Sequence, residues 1–279
     1  APDSWQAMRR RHALVATVSA ERVRDELIGM FTGPNRGRTL DVLAQSGLLA
    51  VILPEVEATR GVAQPPEFHP EGDVFTHTRL TLDALEDFPS PTLALAALLH
   101  DVGKPPTFRQ ARDRIRFNGH DQVGAEMADA ICRRLRLPKR KRDQIVALVQ
   151  RHMTFINIKR MKRSTLRRFL AAPTIDEDLA LHRADVLSTG RSPQYWNFCV
   201  ETLARFRHES DAVLPPPLVH GRDLIALGLK PGPRFGQILR QVADLQMEGA
   251  LTTREQALDW AREHFNAAES AGEYGRGER

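Results

Sequence analysis

Two cysteines, Cys132 and Cys199, are all the thiols in 279 residues. Both fall in segments of helical pattern, so a disulfide framework or a thiolate zinc site has little to build on. A reducing cytoplasm is the compartment that fits. No run of about 18 uncharged apolar residues occurs, which excludes a membrane-spanning helix. The opening stretch, "APDSWQAMRRRHALVATVSA", lacks the apolar core and small-residue cleavage site of a secretory leader. It begins with Ala instead of Met, as expected of a processed or truncated chain. Aromatic residues make up only 6%, which argues against a dedicated base-stacking platform. Strict period-two alternation is scarce and no repeat emerges, so the expected fold class is all-α.

What is present is positive charge, unevenly spread. The net charge is +5, and "KRKR" at 139–142 and "KRMKRSTLRR" at 159–168 are free of acids, a pattern suited to an anionic partner such as RNA or to a solvated helix face. The helical stretches read as roughly 74–88, 91–102, 121–137, 140–153, 164–171, 175–188 and 193–209. Ser90 and Pro91 supply an N-cap and a first-turn proline for the second of these, and Gly103 a stop. Its body, "LALAALL", is apolar on all sides, the mark of a helix surrounded by protein. The Pro-bearing loops "GVAQPPEFHPEGD" and "LPPPLVHG" divide the chain into three expected parts. These are a helical unit over 1–65, a central unit over 66–212, and a C-terminal helical unit over 213–279 whose tail beyond Phe265 is expected to fray.

The central unit places ionisable residues where a solvated side chain does not belong. His152 continues Ile145, Leu148 and Val149 on one apolar helix face; Asp185 follows Leu181 at i+4 and is flanked by Val186 and Leu187; His100 and Asp101 end the buried helix. With His77 and His120 they form an ordered series on separate helices. Burying each alone costs several kcal/mol, and together they would consume most of a stability of roughly 5–15 kcal/mol. A shared counter-charge relieves that cost. Imidazoles and carboxylates converging from several helices are the ligands expected for a divalent transition metal, and Asp101 is placed to bridge two ions.

The segments "VFTHTRLTLDAL", "LALAALLHDVGKP", "NGHDQVGAEMA" and "LHRADVLSTG" resemble the HD-domain superfamily of metal-dependent phosphohydrolases. Within that superfamily they are most similar to the HD domain of bacterial CCA-adding tRNA nucleotidyltransferases. The flanking stretches, from about Ser4 to Phe265, are similar to the neck and C-terminal parts of those enzymes. The nucleotidyl-transfer head, with its Gly-Ser turn and paired aspartates, has no counterpart here; "DED" at 176–178 reads as favourable helix-end charge. The chain is therefore expected not to add CCA.

The resemblance implies that His77, His100, Asp101 and Asp185 hold one metal and that His120 and His152 complete a second site. One or two ions are implied, with Mn, Ni, Co, Fe and Zn all compatible. The implied chemistry is attack on phosphorus by a water activated between the ions, with Asp101 and Lys104 as catalytic residues. The implied substrates are phosphodiesters or phosphomonoesters, including 2′,3′-cyclic nucleotides and RNA-end phosphates. Lys104, Arg191, Arg160 and Arg163 are candidate substrate-binding residues, and His182 and Asp121 candidates for support behind the ligands. His69, between Phe68 and Pro70, reads as a loop residue. Two other readings share these residues: a tRNA-gripping body with a structural metal, and a nucleotide hydrolase of signalling or deoxynucleotide metabolism. The tRNA-enzyme character of the flanking segments lowers the second.

Overall fold

Ser90 Oγ accepts a hydrogen bond from Leu93 N at 3.1 Å and Pro91 follows it, so the apolar helix begins where its capping chemistry dictates. The computed structural model describes residues 2–209, 212–228 and 231–273. Ahead of this helix, α7 (Pro91–Leu99), lie α1 (Pro2–Arg11), α2 (Ala20–Thr32), α3 (Arg36–Ser46), α4 (Leu48–Ile52), α5 (Pro54–Glu57) and α6 (Val74–Ala84). After it come α8 (Lys104–Thr107), α9 (His120–Arg134), α10 (Lys139–Arg151), α11 (Arg163–Leu170), α12 (Ile175–Ser188), α13 (Gln194–Glu209), α14 (Gly221–Ala226), α15 (Pro233–Glu248) and α16 (Arg254–Glu273). Two-residue strands, β1 (Arg109–Gln110) and β2 (Ile115–Arg116), pair antiparallel. The all-α expectation holds, with this short hairpin as an addition that the sequence pattern does not announce.

The described residues fall into two compact units, one within Ala1–Ile156 and Pro173–Asn197, the other within Asn157–Ala172 and Phe198–Arg279. These boundaries do not follow the expected divisions at 65 and 212. In the first unit α2 and α3 contribute Leu27, Phe31, Leu40 and Leu43 to the core that also holds Leu82, Leu98, Ile145 and Leu148. Arg36, only 5% exposed, fastens this joint: its guanidinium donates to Leu82 O at 2.8 Å and Leu85 O at 2.7 Å. Those carbonyls sit at the C-terminal end of α6, where helix geometry leaves them without partners. The N-terminal helices are thus one body with the central ones.

All of α7 from Thr92 to Leu99 is buried, packed among α2, α6, α10 and α12, as an all-apolar helix requires. Asp73 caps α6, its Oδ1 accepting from Thr76 N at 2.8 Å and its Oδ2 from Gly61 N at 2.5 Å, which fixes the register of His77 one turn later. The second unit has its own core of Val219, Leu224, Ile238, Val242, Leu251, Ala257 and Ala261. There Thr253 Oγ1 accepts from Gln256 N at 3.2 Å at the start of α16. That helix runs on to Glu273, past the point where its polar composition predicts fraying; residues 274–279 lie outside the described residues.

Candidate metal centre

Five elements of the first unit deliver the six residues. His77 comes from α6, His100 and Asp101 from the turn that ends α7, His120 from the first position of α9, His152 from the residue after α10, and Asp185 from the last turn of α12. Asp101 stands at their middle, with a side chain only 2% exposed. Its two oxygens divide the histidines between them. Oδ2 lies 3.2 Å from His100 Nε2 and 3.7 Å from His77 Nε2. Oδ1 lies 3.5 Å from His120 Nε2 and 3.7 Å from His152 Nε2. Asp185 Oδ1 is 2.9 Å from His77 Nε2, and the Nε2 atoms of His120 and His152 are 3.2 Å apart.

The orientation of each imidazole is set from behind. His100 Nδ1 donates to Ala97 O at 2.8 Å, His120 Nδ1 to Phe117 O at 2.8 Å, and His152 Nδ1 to Val149 O at 2.6 Å. His77 Nδ1 meets Glu71 Oε1 at 2.7 Å. A carbonyl can only accept, so the Nδ1 of the first three carries the hydrogen and the Nε2 lone pair faces inward. Asp101 Oδ2 has an ion-pair contact with Lys104 and His77 Nε2 one with Asp185, but His100 Nε2 is buried without a hydrogen bond. Buried polar atoms left in this way are costly. The donor atoms of His77, His100 and Asp101 lie within 4.8 Å of one another, as do those of Asp101, His120 and His152. The set therefore fits divalent metal, with Asp101 common to both groups.

The electrostatics are those of ligands ready to receive a cation. Burial alone would raise the pKa of Asp101, but the ammonium of Lys104 against Oδ2 helps hold it well below the usual carboxylate range. Asp185 is depressed against burial by its contact with His77. Burial pushes His152 down to about 4, leaving it neutral at pH 7. Burial also opposes charge on His77, yet Asp185 and Glu71 against its two nitrogens lift it to about 9, so a metal entering here must displace that proton.

Lys104 is buried, its Nζ 2.7 Å from Asp101 Oδ2 and 2.7 Å from Gln64 Oε1, over the ring of Phe117. A solvated lysine at a helix end is thereby excluded. His182 shares a helix face with Asp185 but stacks on Phe155, ring centroids 4.0 Å apart, and is not among the grouped donors. Asp121 does not fix His120; the Phe117 carbonyl holds that position instead. Arg191 lines the same cavity as Asp101 and Lys104, a space of about 1030 Å³. Arg160 and Arg163 belong to the second unit. There Arg163 is paired with Glu209, a contact that uses its charge structurally.

Glu71, His69 and Gln64 escape a sequence reading because they lie on the Pro-bearing loop, where no periodicity marks an inward-facing position. His69 Nδ1 is 2.9 Å from Glu71 Oε1 and its ring meets that of His77 edge-on at 4.9 Å, so it belongs to the support of that ligand. The signal available was a carboxylate six residues before His77. Glu71→Gln should weaken metal binding by about 10–100-fold, the usual effect of removing a ligand's outer partner. Titration against a competing chelator measures this, and an unchanged affinity would show that Glu71 plays no part.

Comparison with known proteins matches residues 74–190 to the HD domain and residues 1–59 to a probable RNA and SrmB-binding site of polymerase A. The chain is 36% identical over 266 residues to the A-adding tRNA nucleotidyltransferase of Deinococcus radiodurans, covering 87% of this chain and 59% of that one. It is 37% identical over 252 residues to the CC-adding tRNA nucleotidyltransferase of Thermus thermophilus, covering 87% and 56%. It thus spans somewhat more than half the length of these relatives. The crystal structure of the Bacillus stearothermophilus CCA-adding enzyme with CTP shares its fold, at TM-score 0.64 and 20% identity over 97% of this chain and 58% of that one. The six converging side chains all lie within the matched 74–190 segment, and the chain that carries this HD domain resembles the neck, HD and C-terminal part of CCA-adding tRNA nucleotidyltransferases.

Proposed function

We propose that the HD domain is a divalent-metal-dependent phosphohydrolase. It would act on phosphodiesters and phosphomonoesters at nucleotide or RNA ends, 2′,3′-cyclic phosphates included, and on small synthetic esters. The observation that carries this reading is the division of Asp101, one carboxylate oxygen toward His77 and His100 and the other toward His120 and His152. A purely structural ion needs four ligands and no second group. Bound divalent ions would supply an activated water and a Lewis acid for the phosphoryl oxygens. The chain's own residues do the rest. The carbonyls behind His100, His120 and His152 aim the imidazoles, and Asp101 holds the two donor groups in one frame. Lys104, fixed by Gln64 and bordering the cavity, offers its ammonium to a non-bridging phosphate oxygen as charge develops there.

The names of the relatives and the match over residues 1–59 favour a second reading more strongly: this chain is the RNA-gripping body and tail of a CCA-adding enzyme, and the cluster holds a structural metal. The basic runs at 139–142 and 159–168 suit that partner, and its affinity would fall steeply with salt. One experiment separates the readings. The purified protein is assayed for metal content and offered bis(p-nitrophenyl) phosphate and a 2′,3′-cyclic nucleotide with manganese or nickel. Turnover is expected for the hydrolase. Metal-dependent melting and tRNA binding without turnover would establish the structural ion and end the first reading.

A further inference from the structure

The hairpin of β1 and β2 carries Arg109, Arg112, Arg114 and Arg116, with Asp113 the acid among them. Asp113 is occupied: Arg116 reaches both its oxygens, at 2.9 and 2.7 Å. Among the described residues no carboxylate pairs with Arg114. Its guanidinium lies over the ring of Phe68, 5.7 Å from the centroid. Arg191 follows Gly190, whose φ of 72° turns the chain after α12, and lies over the same ring at 5.3 Å while donating to Glu67 O. It too faces no carboxylate among the described residues. Some arginines of this unit are neutralised, as Arg134 is by Glu55 and Arg151 by Asp178; Arg114 and Arg191 are set apart by sharing one aromatic ring at the cavity.

Two guanidinium groups on one exposed ring, 41% accessible, neither paired with a carboxylate among the described residues, leave positive charge available to an anion. Arg114, Phe68 and Arg191 line the cavity that also opens onto Asp101 and Lys104. Guanidinium forks match phosphate oxygens bidentately. We propose that Arg114 and Arg191, stacked on Phe68, form a subsite for a second phosphate group of the substrate, separate from the phosphate that reacts at Asp101. This rests on the hydrolase reading and narrows it: the preferred substrate carries two phosphates, either as an oligonucleotide end with a neighbouring phosphodiester or as a nucleoside bisphosphate.

Binding tests it without requiring turnover. The dissociation constants of a nucleoside 3′-monophosphate, a nucleoside 3′,5′-bisphosphate and a dinucleotide ending in a 3′-phosphate are measured on the full chain, metal-free and metal-loaded, at one salt concentration. The ratio of each to the monophosphate is the readout. At least one of the two doubly charged ligands should bind tenfold or more tighter, and Arg114→Ala should reduce that ratio at least fivefold, with Arg114→Lys retaining part of it. A bisphosphate gain alone identifies a nucleotide 5′-phosphate as the partner, and a dinucleotide gain an internucleotide phosphate. A ratio near one for both ligands in the native protein, or a ratio that persists in Arg114→Ala, overturns the proposal. Failure of hydrolysis in the assays above leaves these ratios untouched, so the two ideas fail separately.

Discussion

Asp101→Ala should abolish phosphoester hydrolysis and metal uptake together, with turnover falling on the order of 10³-fold or more, beyond the roughly 10–100-fold that follows loss of an outer partner. The reason is geometric. One side chain faces four imidazole nitrogens, between 3.2 and 3.7 Å away, so its removal takes a ligand from both groups at once. The metal-free protein should also lose stability, because Lys104 would be left buried with Gln64 as its remaining hydrogen-bond partner. Stranding one member of a buried ion pair costs about 3–5 kcal/mol. Chemical denaturation of the apoprotein and metal analysis of the same preparation check both halves. A further sign is the response of the melting temperature to added manganese: the native protein should gain stability with concentration as a ligand of the folded state, and the variant should not. Wild-type turnover in the variant would remove the basis for the hydrolytic site.

Gly103→Ala should be nearly as damaging, although glycine here has an ordinary φ of −79°. A methyl group at this position would lie 2.1 Å from His120 O, 2.6 Å from Gly124 N and 3.0 Å from Gly124 Cα. All three are backbone atoms, so relief requires moving the start of α9, and His120 moves with it. Overpacking of side chains costs roughly 1–3 kcal/mol, and displacing a helix end belongs at the top of that range or above it. Gly29→Ala is the control. It lies within α2 with no atom within 4 Å of the added carbon, where alanine should be neutral or stabilise by up to about 1 kcal/mol. Urea unfolding of the two variants should therefore differ by several kcal/mol. The Gly103 variant should also bind metal more weakly through the loss of the His120 position; equal stabilities would mean that the α7–α9 contact is not rigid.

Much of this was legible from residue types alone. The pattern over 175–188 gives α12 its observed ends, and Ser90 and Pro91 give the start of α7. The metal candidates were legible for a different reason: ionisable groups at apolar positions violate the helical pattern, and a violation repeated on separate helices marks a shared site. What escaped detection lacks any period to violate. Glu71 and Gln64 act from a loop, and the hairpin strands are two residues each, too short for alternation to register. The packing of the N-terminal helices on the central ones was not legible either: a proline-rich loop reads as a divider, while Arg36 reaches across it to the carbonyls of Leu82 and Leu85. The basic run at 159–168 illustrates the remaining limit. Sequence counts charges but not their partners, and Arg163 spends its own on Glu209.

Three of the four imidazoles are aimed by a carbonyl three positions earlier in the chain: His100 by Ala97, His120 by Phe117, His152 by Val149. Each donor is thus a self-contained turn, carrying its own direction wherever its helix is set. The three positions built from such turns depend on the separation of their helices, while His77 takes its direction from Glu71 on the preceding loop. Surface change that leaves those separations intact should be silent at the centre, and an incoming cation finds its partners already pointing at it.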